Sequence, residues 1–273
     1  MSVLSLADVR YRYAGAAGWA LDGIDLEIGA GDVIGICGPN DAGKSTLCLV
    51  AAGLAPGSIG GTLEGSVLLN GTDSRQLSPS GAAERCGILF QNAATQLTGT
   101  TATVWEEIAF GPRNLGLDLA AIVERVEWAM RLARVEHLAS RQPDRLSGGQ
   151  AQLVALAAVL ALRPAVLLLD EPTSQLDPAG TRLVGETLAG LAADTGTALL
   201  IVEHKTDLLD ELCGRVVVVE AGRVVLDGPA AAVLEDGRLD GWGVEAPSRV
   251  RLDHALRERG LDPRLVLNGR PAR

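Results

Sequence analysis

The spacing of hydrophobic positions changes several times along this chain of 273 residues. In residues 3–13, 24–28 and 32–37, apolar side chains alternate with polar ones or form short runs between glycine-rich turns. Residues 65–71 and 86–91 repeat this pattern. Runs of this length and composition are typical of β-strands. The first part of the chain is therefore predicted to be rich in strands.

The middle of the chain, from residue 103 to about residue 141, has a helical pattern instead. Within residues 118–138 the apolar side chains recur at steps of three and four, which places them on one face of an α-helix. The residues predicted to form this face are Leu119, Ile122, Val126, Met130 and Ala133. The uninterrupted apolar stretch at residues 153–162 predicts a further, buried helix.

Strands and helices alternate again in the last part of the chain. Residues 166–170 and 198–204 read as strands, and residues 216–228 read as a hairpin with a turn at Ala221 and Gly222. A helical block is thus inserted between two halves of a β/α alternation. This order predicts an α/β fold with a mostly parallel sheet and helices on both faces.

The composition excludes or disfavours several classes of function. The net charge is −10 and Lys and Arg form no blocks, which argues against a nucleic-acid partner because phosphate backbones attract basic patches. The first residues have neither the basic start nor the apolar core of a signal peptide. The longest apolar stretch has ten residues, and about twenty are needed to cross a bilayer. We therefore expect no transmembrane helix.

The four cysteines, at positions 37, 48, 86 and 213, form no C-x-x-C pair and each lies in an apolar segment. This pattern predicts small buried thiols in a reducing compartment. The three histidines are widely scattered, which disfavours a metal site built from histidine and cysteine.

A glycine-rich motif carries the strongest chemical signal. Residues 38–46 read GPNDAGKST and fit G-x-x-x-x-G-K-[S/T] in full, between a predicted strand and a predicted helix. Glycines let backbone N–H groups turn toward a polyphosphate, the lysine bridges its outer phosphates, and the serine hydroxyl serves Mg²⁺. The residues expected to contact the nucleotide are Gly38, Asn40, Gly43, Lys44, Ser45 and Thr46. The alternative, a glycine-rich turn without a ligand, is disfavoured by this strand–loop–helix context.

Asp41 is unexpected within this loop, because a carboxylate aimed at a phosphate would repel it. We expect its side chain to point outward while its N–H group still serves the loop. Aspartate also tolerates a left-handed backbone better than most residues.

Two carboxylates lie at the end of the apolar strand at residues 166–170. Asp170 is the last residue of this strand, and Glu171 follows it. Parallel strands deliver their last residues to one edge of the sheet, where the phosphate loop is also expected. Asp170 is predicted to orient Mg²⁺, and Glu171 to polarise the water that attacks the γ-phosphate. The alternative for this pair alone is an acidic strand end without catalytic function.

A second anion-binding motif lies in LSGGQ, residues 146–150. Ser147, Gly148 and Gly149 open a helix whose N-terminus would attract an anion. One nucleotide needs only one such cradle, so this helix is predicted to contact a nucleotide that another copy or partner holds. The alternative is an ordinary serine N-cap followed by flexible glycines.

The order of these motifs over about residues 3–230 resembles that of ABC-type nucleotide-binding domains. The resemblance implies a P-loop NTPase core, an N-terminal antiparallel β part, and a helical subdomain inserted at about residues 92–160. It also implies ATP and Mg²⁺ as ligands. On this basis we expect an ATPase domain at 1–235 and a C-terminal extension at 236–273, whose last residues we expect to be mobile.

The resemblance also implies roles for single residues. Tyr13 would stack on adenine, Gln91 would reach Mg²⁺ and the attacking water and signal to a membrane partner, and His204 would contact the γ-phosphate. Asp177 would cross a dimer interface, and the serine and glycines of LSGGQ would bind the γ-phosphate held by the opposite subunit. Taken singly, Tyr13 also fits a strand aromatic, Gln91 a capping group and His204 a surface histidine.

A narrower resemblance links residues 103–117 and 242–252 to energy-coupling-factor ATPases, including the cobalt and nickel importer type. It implies a peripheral subunit at the cytoplasmic face of the cell membrane, paired with a second ATPase subunit as a homodimer or heterodimer. Its membrane partners would be a transmembrane T-component and an S-component that captures a vitamin or metal ion. Leu153 departs from the family, which often has arginine there, and this departure favours a different second ATPase.

Two other functions remain open from the sequence. An importer ATPase that is served by a soluble binding protein would carry the same motifs. A non-transport ABC ATPase that acts on DNA or ribosomes is disfavoured, because Lys44 and Ser147 are only 103 residues apart and one cassette is present.

Overall fold

The protein consists of two β-sheets with helices packed around them, and a computed structural model describes residues 2–261. In chain order the strands are β1 (Ser2–Arg12), β2 (Leu21–Gly29), β3 (Val33–Cys37), β4 (Thr62–Leu69), β5 (Thr72–Asp73), β6 (Cys86–Leu89), β7 (Val166–Asp170), β8 (Ala198–Val202), β9 (Arg215–Glu220) and β10 (Arg223–Pro229). The helices are α1 (Lys44–Ala51), α2 (Pro79–Ala83), α3 (Val104–Asn114), α4 (Leu119–Leu132), α5 (Gly148–Leu160), α6 (Pro178–Thr195), α7 (Thr206–Leu212), α8 (Ala230–Leu234) and α9 (Ser248–Glu258).

The larger sheet has six strands in the order β10-β9-β3-β8-β7-β6. All neighbours in it are parallel except β10, which pairs with β9 in antiparallel register. The smaller sheet is entirely antiparallel, in the order β2-β1-β4-β5. The predicted fold is confirmed: a mostly parallel sheet, an N-terminal antiparallel part, and a helical block, α3 to α5, inserted before β7.

The central strands of the larger sheet are buried on both faces, which explains their uninterrupted apolar sequences. Every residue of β7 and of β8 is buried. Leu167 and Leu169 face the core that contains the helical block, whereas Val166 and Leu168 face the core shared with α1 and the antiparallel sheet. The alternation of β-strand side chains therefore divides the interior into two cores, one on each face of the sheet.

The helical block differs in detail from its prediction. Ile122, Val126, Met130 and Ala133 are buried as expected, but Leu119 is 73% exposed. Leu119 is the first residue of α4, where Asp118 caps the helix and the side chain meets solvent instead of the core. The predicted helix at residues 118–138 also ends early, because Arg134 adopts a left-handed backbone with φ of 55°.

Several other predictions are confirmed. Ala221 and Gly222 form the predicted hairpin turn, both with positive φ. The four cysteines are free and buried, and burial raises the pKa of Cys37, Cys86 and Cys213 to about 12. No helix within residues 2–261 is long and apolar enough to span a bilayer.

Between β10 and residue 261 the chain forms the α-helices α8 and α9, which pack beside α7. Arg249 of α9 makes ion pairs with Asp210 of α7, at 2.5 Å, and with Glu235 after α8, at 2.7 Å. The proposed boundary at residue 235 therefore divides segments that are joined by ion pairs, and it stays a prediction. The predicted mobile end of the chain falls mainly on residues 262–273, which lie outside the described residues.

Candidate nucleotide site

The glycine-rich loop joins β3 to α1, and its glycines are required by the backbone that surrounds it. Gly38 has φ of 146°, and a Cβ atom there would lie 2.0 Å from the carbonyl oxygen of Val219. Gly43 has φ of 99°, and a Cβ atom there would lie 2.5 Å from the carbonyl oxygen of Ala20. Any side chain at either position would collide with fixed backbone, so the loop holds its curved shape only with glycine.

Lys44 is the cation at the centre of this loop. Its side chain is buried, and Nζ donates to the carbonyl oxygens of Gly38, at 2.9 Å, and Pro39, at 2.7 Å. Burial lowers the pKa of Lys44, and the nearby carboxylates of Glu171 and Asp170 oppose this shift without cancelling it. A cation held inside a glycine loop at a helix N-terminus fits the charge and shape of a polyphosphate.

Asp41 lies in this loop as the sequence predicted. Its backbone is left-handed, with φ of 60°, and its side chain is exposed. Asp41 is nevertheless one of the residues that line the cleft above the loop, so its outward orientation stays a prediction, and its charge is one of those that raise the pKa of Lys44. The loop therefore tolerates an acid at this position through its geometry.

A cleft of about 750 Å³ opens above the loop and gathers residues from distant parts of the chain. The predicted site residues that line it are Tyr13, Asn40, Gly43, Lys44, Ser45, Thr46, Gln91, Glu171 and His204. They meet because β6, β7, β8 and β3 are consecutive parallel neighbours, and the carboxyl ends of parallel strands lie at one edge of a sheet. Gln91, Glu171, His204 and the loop follow these four strands in the same order.

The aromatic residue in the cleft is Tyr13 and not its neighbour Tyr11. Tyr13 Oη lies 3.0 Å from Thr46 Oγ1, whereas Tyr11 is fully buried and donates its hydroxyl to the carbonyl oxygen of Gly60 at 2.5 Å. A second aromatic residue, Trp19, also lines the cleft, and the Arg12 guanidinium lies 5.1 Å from its ring centre. Sequence reasoning missed Trp19, although an aromatic residue in a Gly-Ala-rich loop was a signal for it.

Asp170 does not line the cleft itself, but its contact with Ser45, which does, forms a pair that suits a hard cation. Asp170 is 7% exposed and accepts a hydrogen bond from Ser45 Oγ at 3.1 Å. Burial raises the pKa of Asp170, and the bond from Ser45 opposes that shift. Hydroxyl, carboxylate and amide oxygens are the ligands that Mg²⁺ accepts, so Ser45, Asp170 and Gln91 fit this ion. Mg²⁺ usually keeps several waters and binds substrate phosphates, so these three residues would supply only part of its ligands. Within residues 2–261 there is no cluster of three His, Cys, Asp or Glu side chains that could hold a metal.

Glu171 is the point at which the three predicted catalytic residues meet. Gln91 donates its side-chain amide to Glu171 Oε2 at 2.6 Å, and His204 Nε2 lies 3.2 Å from Glu171 Oε1. Glu171 also has φ of 49°, a left-handed backbone that is uncommon outside glycine, and such conformations cluster at functional sites. The carboxylate is thus held from two sides, which is suitable for orienting a water molecule.

The residues of the second motif do not line this cleft. Ser147 is exposed and caps α5: its Oγ accepts from the backbone N of Gln150 at 3.3 Å, and Gln150 Oε1 accepts from the backbone N of Ser147 at 3.2 Å. The ordinary capping role that the sequence left open is therefore present. Capping uses the serine oxygen but leaves the other N–H groups of the first helical turn directed outward.

The N-terminus of α5 lies against the segment that precedes α6. A Cβ atom on Gly149 would lie 3.2 Å from the side chain of Leu176, and one on Gly148 would lie 3.4 Å from Oε1 of Gln175. The next residue, Asp177, caps α6 by accepting from the backbone N of Gly180 at 2.7 Å. Ser147, Gly148, Gly149 and Asp177 thus form a second group outside the nucleotide cleft.

Leu153 lies one turn further along α5, at the position where the sequence departs from its family. It is half-buried and packs against the core of the helical block. An apolar side chain suits that environment, and the loss of the arginine therefore follows the packing of this helix.

A P-loop with a buried lysine, two carboxylates at the end of β7 and a separate capped helix terminus define an ATP-binding cassette. The chain belongs to the ABC transporter family, whose model matches residues 21–174. A protein of Pyrococcus horikoshii described as an ABC transporter ATP-binding protein is 41% identical over 98% of this chain and 94% of its own length. The energy-coupling factor transporter ATP-binding protein EcfA1 of Halalkalibacterium halodurans is 35% identical over 94% of this chain and 90% of its own length.

Solved structures agree with this assignment. The structure of cbiO1 from Clostridium perfringens, part of the ABC transporter complex cbiONQ, matches with a TM-score of 0.77 and 30% identity, over 95% of this chain and 97% of that one. The cassette MJ0796, solved as a dimer with ADP and Pi, has the same fold, with a TM-score of 0.73 and 24% identity over 83% of this chain and 98% of its own. The chain is therefore an ATP-hydrolysing subunit of an ABC transporter, with ATP and Mg²⁺ as its ligands.

Proposed function

We propose that this chain energises an energy-coupling-factor type importer for a vitamin or a transition-metal ion, as a peripheral subunit at the cytoplasmic face of the cell membrane. The observation that carries the proposal is the extent of the likeness to EcfA1 and cbiO1. It covers 94% and 95% of this chain, respectively, and so extends well beyond the matched family region into the segment after β10. The predicted similarity of residues 103–117 and 242–252 to such ATPases is in accord with it.

The second ATPase subunit follows from the separation of the two anion-binding groups. Ser147 is exposed, and it lies outside the cleft that contains Lys44. A nucleotide bound to the glycine loop of one subunit would complete its contacts with the α5 N-terminus of the other. Asp177, beside that terminus, would then lie at the dimer interface. The partner subunit is either a second copy or a different ATPase.

In the proposed mechanism the chain supplies positioning and electrostatics more than covalent chemistry. Lys44 and the loop N–H groups bind the phosphates, and Tyr13 packs against the adenine. Ser45, Asp170 and Gln91 would hold Mg²⁺ together with ATP, and the bound ion would supply positive charge that stabilises the leaving phosphates. Glu171 orients the attacking water and accepts its proton.

Gln91 and His204 hold Glu171 in place for this step, and both reach it from separate loops. His204 would also donate to the γ-phosphate, and the α5 N-terminus of the partner subunit would bind the same group. Hydrolysis removes these shared contacts, so the dimer would separate after each cycle and move the membrane partners.

A shallow groove on the helical block is suitable for the T-component. It is lined by Thr100, Thr101, Ala102, Glu106, Phe110, Arg113 and Asn114, and Phe110 is 40% exposed. An exposed aromatic side chain rimmed by polar groups is typical of a protein contact. The groove lies within and beside residues 103–117, the segment that resembles energy-coupling-factor ATPases.

The loop between this groove and Gln91 is held by side-chain contacts. Gln96 donates to the carbonyl oxygen of Ile88 at 2.9 Å and accepts from the backbone N of Phe90 at 3.0 Å. These two bonds extend the end of β6, directly before Gln91. A partner that moves this loop would therefore also move a residue in contact with Glu171.

The proposal is tested by co-purification from the native membrane with the wild type, Phe110→Asp and Leu119→Asp. Leu119 is the matched control, because it is an exposed apolar residue of the same helical block outside the groove. We expect the wild type and Leu119→Asp to retain a transmembrane protein and a small S-component identified by mass spectrometry. Phe110→Asp should lose both.

Three outcomes contradict the proposal. Capture of a soluble binding protein instead of an S-component would favour the binding-protein-dependent class of importer. Capture of nucleic acid without any membrane protein would favour a non-transport ATPase. Equal loss of partners in the Phe110 and Leu119 variants would remove the groove as the docking site.

A further inference from the structure

A buried carboxylate that belongs to none of the motifs joins the two loops that carry Glu171 and His204. Glu203 directly follows β8 and is 2% exposed. Its Oε1 accepts hydrogen bonds from the backbone N of Thr173, at 3.2 Å, and from Thr173 Oγ1, at 2.5 Å. Its Oε2 accepts from the backbone N of His204, at 3.1 Å, and of Lys205, at 3.3 Å. Each carboxylate oxygen therefore holds a different loop.

The donors around Glu203 are three backbone N–H groups and one hydroxyl, none of which is a cation. Burying a carboxylate is costly unless it accepts several hydrogen bonds, and here it accepts four. Lys205 strengthens the same junction, since its Nζ donates to the carbonyl oxygen of Thr173 at 2.9 Å. Thr173, which is fully buried, is thus held by both Glu203 and Lys205 of the other loop.

This junction lies next to the catalytic contact. Thr173 follows Glu171 by two residues, and His204 directly follows Glu203. Between the same loops, the backbone N of Glu171 donates to the carbonyl oxygen of Val202 at 2.9 Å, and the Glu171 and His204 side chains meet at 3.2 Å. The distance between these two side chains therefore depends on how the loops are held together.

We propose that Glu203 is a positioning residue for ATP hydrolysis, which fixes the separation of Glu171 and His204 through Thr173 and the backbone after β8. Glu203 does not line the nucleotide cleft, so it acts through these neighbours and not on the nucleotide. The inference rests on the roles proposed above for Glu171 and His204.

The direct test is Glu203→Gln in the full chain, with hydrolysis of Mg-ATP measured at steady state. A glutamine has one acceptor oxygen and one NH₂ donor, whereas both loops offer only donors to this position. One loop is therefore released whichever way the amide is oriented. We expect kcat to fall roughly 10- to 100-fold, the size of effect that small misplacements of catalytic groups produce. The KM for ATP should stay within about twofold, because the contacts of Lys44 and the glycine loop are unchanged.

Glu107→Gln is the matched control. Glu107 is also a buried carboxylate, 3% exposed, and accepts from the backbone N of Thr98 at 2.6 Å and from the hydroxyls of Thr98 and Thr101 at 2.8 and 2.6 Å. It lies on α3 and binds the loop beyond Gln96, so the substitution leaves in place the two bonds by which Gln96 is attached to the end of β6. Both Glu203→Gln and Glu107→Gln should lower the melting temperature, because each disturbs a buried hydrogen-bonded carboxylate. Only Glu107→Gln should keep kcat of the isolated chain within about twofold of the wild-type value.

Two further variants separate positioning from stability. In a Glu171→Gln background, Glu203→Gln should cause less than about twofold additional loss, because residues that act through one group have non-additive effects. Thr173→Val removes the hydroxyl bond to Glu203 at nearly constant volume and should lower kcat, as Glu203→Gln does. Thr173→Ser keeps the hydroxyl and should have a kcat near that of the wild type. These variants keep the inference testable if Glu203→Gln does not fold.

Four results would overturn the inference. They are a wild-type kcat in Glu203→Gln, a rise in KM at constant kcat, an equal loss of kcat in Glu107→Gln, and a full additional loss in the Glu171→Gln background. Near-normal hydrolysis in Glu171→Gln alone would instead remove the proposed base. If Glu203→Gln hydrolysed ATP at the wild-type rate while Glu171→Gln were inactive, only the positioning role of Glu203 would be contradicted.

Discussion

Two helices of this protein begin with the means to bind an anion, and they differ in almost everything else. At the start of α1, glycines curve the loop, Lys44 is buried in it, and a cleft with residues from four strand ends surrounds it. At the start of α5, Ser147 is exposed, and its backbone N donates to Oε1 of Gln150 in the first turn of the same helix. Both termini carry the positive end of a helix dipole.

The difference shows that only the α1 terminus forms a nearly complete site within one chain. The α5 terminus has the N–H groups but lacks the buried lysine of the loop and lies outside the cleft, so we expect it to bind an anion weakly by itself. Its neighbour is the segment with Leu176 and Asp177, not the phosphate loop. We therefore interpret it as half of a site, which a nucleotide bound elsewhere completes.

Lys44→Ala should remove the function of the α1 terminus. The lysine is the only side-chain cation at the loop centre, and charge-assisted hydrogen bonds of this kind contribute roughly 1.5–3 kcal/mol each. We expect ATP affinity to fall by about 100-fold or more and hydrolysis to fall below detection. Isothermal titration calorimetry measures the affinity, and an affinity near that of the wild type would show that the loop does not depend on this charge.

Substitutions of Ser147 should affect hydrolysis but not the binding of ATP to the single chain. Ser147→Asp keeps a side chain that can cap α5 but adds a negative charge where the phosphate of the other subunit would approach. We expect kcat to fall roughly 10- to 100-fold, since loss of one preorganised donor at an oxyanion costs about that much or more. The affinity of the monomer for ATP should change by less than about twofold.

The control for Ser147 is Asp118→Ala, which removes the N-cap of α4. Asp118 accepts from the backbone N of Ala121 at 2.8 Å, so its loss should destabilise a helix by about 1 kcal/mol without changing kcat. If Ser147→Asp weakened ATP binding in the monomer as strongly as hydrolysis, the α5 terminus would belong to the same site as Lys44.

Asp41→Gly is expected to have the smallest effect. The residue already has a left-handed backbone, with φ of 60°, which glycine adopts without strain. The substitution also removes a negative charge near the phosphates, so ATP should bind modestly tighter, by about twofold to fivefold at low salt. A weaker affinity in Asp41→Gly would mean that the carboxylate contributes to binding.

The two termini also differ in how much the sequence alone predicted. The glycine loop is a local motif, and its strand–loop–helix context was sufficient to place Lys44 and Ser45 correctly. The position of the α5 terminus beside Leu176 depends on packing between segments about thirty residues apart, which no local pattern records. The sequence indicated only that a second anion-binding helix terminus exists.

The same reason explains the other differences between prediction and structure. Trp19 lines the cleft only because the loop before β2 lies beside the glycine loop, and Glu203 meets Thr173 only because β7 and β8 are adjacent. Leu119 fits the helical period but is the first residue of α4, and its side chain is exposed, whereas Ile122 on the same turn is buried. Periodicity predicts which face of a helix is apolar, and tertiary packing decides how far along the helix that face is buried.

The most direct test of the central claim is the oligomeric state of the hydrolysis-deficient variant Glu171→Gln with Mg-ATP, measured by analytical ultracentrifugation. This variant should trap the nucleotide between the loop at Lys44 of one subunit and Ser147 of the other. We predict an ATP-dependent dimer, formed by this chain alone or with its membrane partners and their second ATPase, that Ser147→Asp disrupts. A protein that stayed monomeric with bound ATP, both alone and with those partners, would contradict the account.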